Sequence, residues 1–133
     1  MGYTFLDEYM EGIRPKVAEI DVFLKTAQFP VGACCVARAL SLCEEEVRAI
    51  MANLGIESVM HHDFLQIMHK GSSRICGIYR RELETNSPIT YECEDIAYIY
   101  NLDINDVKNA FQNLKIHEVT AVTMPLVFAK IPY

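Results

Sequence analysis

Four histidines and five cysteines are the side chains of this 133-residue sequence most capable of chemistry, and their spacing says which chemistry is open to them. His61-His62-Asp63 and His69 place imidazoles near a carboxylate, with His62 and His69 two helical turns apart. Cys34, Cys35 or Cys43 could complete a zinc donor set. Structural zinc ligands, however, come as pairs at C-x₂₋₄-C or H-x₃₋₅-H spacing, and neither pair occurs, so no metal and no cofactor are expected. Cys34 and Cys35 are adjacent in a helical stretch, where their side chains diverge, and at least one suits the role of a small buried hydrophobe. A nucleophilic cysteine or serine needs a base and a group to orient it, and no local motif supplies them. Gly71-Ser72-Ser73 lacks the flanking glycines and the lysine of a phosphate-binding loop. The expectation is a protein with no catalytic residues.

Recognition chemistry is better represented. Asn105, Lys108, Asn109 and Gln112 are suited to hydrogen bonding with base edges or a partner surface. Lys70, Arg74, Arg80 and Arg81 form the one basic cluster. If that region is helical, Lys70, Arg74 and Arg81 share a face that could meet phosphates or an acidic protein surface. Glu82 and Glu84 offset it.

A repeat must position these groups. Shifted by 60 residues, 31–56 falls on 91–116. The shift pairs Ala37 with Ala97, Leu42 with Leu102, Val47 with Val107, Asn53 with Asn113, Leu54 with Leu114 and Ile56 with Ile116. A fixed-period echo marks one supersecondary unit used twice. Each copy reads as two short helices. Ala37 and Ala97 let the helices cross closely, and Ser41 and Asn101 occupy a turn that favours left-handed backbone. Leu42 and Leu102 plug the angle, while Val47 with Ile50, and Val107 with Ala110, close the core. This pattern resembles the helix-turn-helix motif over about 20 residues of each copy. The resemblance implies that the second helix of a copy would enter a major groove. In the first copy those places hold Cys43, Glu44, Glu45 and Glu46, which repel phosphates. In the second, 91–116 sums to −3.

Elsewhere, Thr4–Ile13 and Lys16–Thr26 have helical spacing, with Pro15 as a break or a start between them. Pro30 launches the first copy, in which Val31–Leu40 and Glu44–Leu54 are the helices and Gly55 the stop. His61–Lys70 is a further helix ended by Gly71, and Ser72 or Ser73 can cap Arg74–Glu84. Asn86, Ser87 and Pro88 punctuate a turn, and 85–91 could supply a short strand. Asp103 and Asp106 suggest a capping box for Ile104–Leu114. Valine, threonine and isoleucine enrich His117–Thr123 and Leu126–Ile131, which read as a hairpin over 117–131 broken at Met124-Pro125. A hairpin there would make the second unit winged-helix-like. The fold class expected is mainly α, with two helix-turn-helix-like units and a C-terminal β-hairpin, in a single compact domain over 1–133.

Composition narrows the function. Half of the residues are hydrophobic and 23% charged, which excludes disorder. A net charge of −6 opposes binding to DNA or an anionic membrane. No run approaches the roughly 20 apolar residues needed to span a bilayer. Asp7, Glu8 and Glu11 stand where a secretion signal would be basic and then apolar, and an odd number of cysteines suits a reducing, cytoplasmic setting. The function expected is a regulatory or adaptor module that binds a protein partner or forms a homodimer. Leu126, Phe128 and Ile131 would be its self-association strand. The alternative is a DNA-binding transcription regulator that uses the second unit, with Asn105, Lys108, Asn109 and Gln112 toward base edges, His117–Ile131 as a wing and Lys70–Arg81 for phosphates. Ile96-Ala97-x-x-Tyr100, Val107 ten residues after Ala97, and the closing Ile131-Pro132-Tyr133 are also similar to LysM. That resemblance implies a strand–helix–helix–strand module for peptidoglycan sugars, although Tyr91–Asp95 replaces its usual Gly-Asp-Thr-Leu segment.

Overall fold

In the computed structural model, residues 2–85 and 89–133 are described. Asn86, Ser87 and Pro88, expected at a turn, lie outside them. The chain packs as two compact units: Met1–Pro15 with Arg81–Tyr133, called unit 1, and Lys16–Arg80, called unit 2.

The protein is mainly helical. Helix α1 (Phe5–Glu8) starts at Thr4, whose hydroxyl accepts from the Asp7 N–H while Asp7 accepts from the Thr4 N–H at 2.9 Å. This reciprocal cap satisfies two donors that a helix start leaves open. A π-helical segment, Tyr9–Ile13, follows and runs directly into α2 (Arg14–Thr26). Pro15 therefore breaks nothing. It lies within one helical run, directly after the π-helical turn, and the run continues although Pro15 supplies no N–H to it.

Unit 2 contains α3 (Ala33–Leu40), α4 (Glu44–Leu54), α5 (His61–Lys70) and most of α6 (Arg74–Glu84). Its core joins Ile20, Val36, Leu40, Val47, Phe64, Ile67 and Cys76, with Phe23, Leu42 and Tyr79 packed against them. Ser73 is the residue that serves α6: its hydroxyl accepts from the Cys76 N–H and donates to the Leu40 carbonyl at 2.7 Å. Gly71 follows α5 with extended backbone, and nothing larger fits at that position. A Cβ there would lie 2.6 Å from Cys76 Sγ.

Unit 1 contains β1 (Thr90–Tyr91), α7 (Cys93–Ile99), α8 (Ile104–Leu114), β2 (Val119–Thr120) and α9 (Met124–Phe128). The strands are antiparallel, with Thr90 opposite Thr120 and Tyr91 opposite Val119. Phe5, Tyr9, Tyr100 and Phe128 form an aromatic cluster with centroids 4.8–6.1 Å apart.

Two expectations need correction here. Leu126–Ile131 is not a strand. Pro125 occupies the first turn of α9, where it is favoured, and β2 finds its partner in β1 instead, so the hairpin over 117–131 is absent. The Asp103–Asp106 box is also replaced. Asp103 accepts from the Asn105 N–H at 2.8 Å, a cap made by one side chain.

The repeat is carried through in detail. Ser41 and Asn101 are both left-handed, with φ of 58° and 55°. Leu42 N–H donates to the Ala37 carbonyl at 2.9 Å, and Leu102 N–H to the Ala97 carbonyl at 2.9 Å. Each second helix then stops on a left-handed residue, Gly55 or Lys115. The same shift extends past the expected boundaries. Val31 bridges Val59 as Tyr91 pairs with Val119. Buried Phe64, Ile67 and Met68 of α5 correspond to buried Met124, Val127 and Phe128 of α9. The second copy is thus strand–helix–helix–strand, the first has a single Val31–Val59 bridge in place of the strand pair, and in each a further helix follows.

Candidate functional site

Helix α8 presents Asn105, Lys108, Asn109, Gln112 and Asn113 to solvent, while Val107, Ala110 and Phe111 face the core. The four candidate contacts Asn105, Lys108, Asn109 and Gln112 therefore do share an exposed surface. Asp106 is half-buried, so the exposed stretch from Asn105 to Lys115 carries two lysines and no fully exposed carboxylate. In the first copy the corresponding surface of α4 holds Glu44, Glu45, Arg48, Ala49, Ala52 and Asn53. Arg48 is spent there on Glu44, donating through Nε at 2.8 Å. Glu46 is not available to a ligand. It accepts from Ser72 N–H and Oγ at 2.8 and 2.7 Å, holding the α5–α6 connection onto α4.

The basic cluster does not form the stripe the sequence suggests. Lys70 ends α5 and Arg74 begins α6, with Gly71–Ser73 breaking the helix between them. Arg81 is half-buried, and its Nε donates to the Ile99 carbonyl at 2.9 Å, closing the C-terminal end of α7. Arg80 likewise donates to the carbonyls of His69 and Gly71 at 3.0 and 3.2 Å. These arginines satisfy helix-end carbonyls that would otherwise lack partners. Lys70 and Arg74 belong to unit 2, Arg81 to unit 1.

The proposed self-association strand is likewise overturned. Phe128 and Ile131 are 1% exposed, and only Leu126 reaches solvent, at 61%. Unit 1 shows other bare apolar residues that sequence patterning missed. Ile89 and Val122 are each 88% exposed. Ile89 precedes Thr90 and Val122 follows Thr120 by two residues, so both leave the same end of the β1–β2 ribbon. Their β-branched character suggested strand interiors, and that pattern hid them.

Beside α8 lies a hollow of about 490 Å³ lined by Cys93, Lys108, Phe111, Gln112, Lys115, Ile116 and His117. Cys93 is half-buried; burial, then the neighbouring Glu94, holds its thiol above the usual range. Cys76, inside unit 2, is pushed the same way by burial. Both effects keep the thiols protonated and weakly nucleophilic. Among the described residues, no group of three or more His, Cys, Asp and Glu side chains is placed to hold a metal ion. His62 instead approaches Asp63 at 3.3 Å. Among the described residues, no helix is long and apolar enough to cross a membrane.

The charge is unevenly divided. Unit 1 carries eleven carboxylates against five lysines and arginines, whereas unit 2 carries seven of each. The whole net charge of −6 thus belongs to the unit that contains α8. Comparison with known proteins returned no matching family model, no matching curated protein and no matching solved structure.

Proposed function

We propose that this chain is a non-catalytic protein-interaction module, and that its contact surface is the bare end of the β1–β2 ribbon in unit 1. The observation that carries this reading is the pair Ile89 and Val122, both 88% exposed at one ribbon end, with Leu126 exposed four residues further on. Scattered exposed apolar residues are ordinary, but β-branched side chains left bare together at a sheet end suit a protein contact. Covering each would contribute about 1.5–3 kcal/mol before the cost of association. A second copy of the chain is the first partner to test. Light scattering after size exclusion should show the parent associating as concentration rises, and Ile89→Ser with Val122→Ser should abolish it. A parent that stays monomeric at high concentration rejects self-association through this surface.

A second reading rests on α8. Its lysines and amides match the groups that read base edges, which supports the helix-turn-helix resemblance and DNA-binding transcription regulation. The carboxylate excess of unit 1 opposes a polyanion. Fluorescence anisotropy with duplex DNA separates the readings: a DNA binder shows affinity that falls steeply with salt. The strand–helix–helix–strand order of the second copy favours the LysM resemblance, and titration with a chitin oligosaccharide tests it.

A further inference from the structure

Lys108, Gln112 and Lys115 lie at i, i+4 and i+7 along α8 and its cap, so they form one row at the edge of the hollow. The row spans roughly 10 Å at 1.5 Å per residue, short enough for both lysine side chains to converge on one group above Gln112. His117 adds a further donor at the far end, and Cys93 faces the row from the first turn of α7. The floor is apolar, formed by Phe111 and Ile116. Among the described residues, neither lysine makes an ion pair within 4.0 Å. Glu94 is a carboxylate close enough to feel Lys108.

We propose that this hollow binds a small organic anion, its oxyanion held by Lys108 and Lys115 and its flat apolar body seated on Phe111 and Ile116. The protein-contact reading above is independent of it, because the ribbon end contributes no residue to the hollow.

The internal repeat shows that folding does not require these donors. At the corresponding places the first copy has Ala33 for Cys93, Arg48 for Lys108, Ala52 for Gln112, Gly55 for Lys115 and Glu57 for His117. The one cation kept, Arg48, is tied to Glu44. The same two-helix unit therefore forms without a donor row, and the second copy carries the row as an addition. The acidic surroundings set the size of the ligand. A polyanion would meet the carboxylates of unit 1, whereas a small anion close to two lysines interacts over distances shorter than the screening length of about 8 Å.

The test uses the full chain labelled for NMR, with phenyl phosphate as probe, benzyl alcohol as its uncharged counterpart and inorganic phosphate as the oxyanion alone. Phenyl phosphate should shift the backbone amides of Cys93 and of residues 108–117. Each of the other two probes should bind roughly tenfold more weakly or worse, a difference of about 1.4 kcal/mol. Lys108→Gln with Lys115→Gln should weaken phenyl phosphate by a similar factor. Both lysines are exposed, so circular dichroism should show the fold of that variant unchanged. Bound phenyl phosphate should also slow alkylation of Cys93 while leaving exposed Cys34 and Cys43 unaffected. No shift at millimolar phenyl phosphate overturns the proposal. So does equal binding of benzyl alcohol, or affinity that the double substitution leaves unchanged.

Discussion

Replacing Gly71 by alanine should destabilise unit 2 through one added methyl group. Gly71 has φ −70°, so its backbone conformation is open to any residue. What excludes a side chain is space. An added Cβ would lie 2.6 Å from Cys76 Sγ, 2.9 Å from Leu42 Cδ1 and 3.2 Å from Cys76 Cβ. Carbon atoms pack best at about 3.5–4.0 Å. The end of Leu42 can rotate away, but Cys76 is fully buried on α6 and has nowhere to go. Overpacking of this kind costs about 1–3 kcal/mol. At roughly 4 °C per kcal/mol for a chain of this size, the melting temperature should fall by about 4–12 °C. Urea denaturation followed by circular dichroism measures the change. Cys76→Ala removes the closest atom and leaves the 3.2 Å contact. The double variant should therefore be more stable than the sum of the single effects requires, by about 0.5 kcal/mol or more. A Gly71→Ala protein within about 0.5 kcal/mol of the parent, the range of an ordinary surface change, or strict additivity with Cys76→Ala, refutes the steric account.

Ser41→Val and Asn101→Val should each cost about 1–2 kcal/mol, because both positions are left-handed and valine resists that conformation; denaturation of the two variants should show comparable losses, and a loss at only one site would mean the turns are not equivalent. Arg81→Met should destabilise unit 1 by about 1.5–3 kcal/mol, by leaving the Ile99 carbonyl without its charged donor. A change under about 0.5 kcal/mol in chemical denaturation would show that this bond does not hold α7. Stability should also fall in strong alkali. Burial, then the hydrogen bond to Glu82, pushes the Tyr91 phenol up to about 12 from an ordinary 10.0. Burial raises Tyr100 as well. With the folded value above the unfolded one, the contribution is complete below pH 10 and is lost as pH rises toward 12. Tyr91→Phe should flatten the stability profile over that window, and an unchanged slope would show that Tyr91 does not cause it.

The sequence by itself determined the repeated helix pairs. Its signals were local: alanine at the crossing, a left-handed position four residues on, and an apolar plug after it, all within reach of neighbours in the chain. The helix ends at Gly55 and Gly71 were equally legible, and so was the shared exposed face of Asn105, Lys108, Asn109 and Gln112, because helical spacing alone places it. Tertiary structure decided everything that depends on distant partners. Leu126–Ile131 has strand-like composition, yet Pro125 starts a helix there, and β2 pairs with a strand about thirty residues earlier. Arg81 and Glu46 read as surface charges until the Ile99 carbonyl and Ser72 were brought to them. Cys93 and His117 lie 24 positions apart in the chain, and only the packing of α7 on α8 brings both to the rim of one hollow. Periodicity records which face of an element is buried, but carries no record of the partner that buries it.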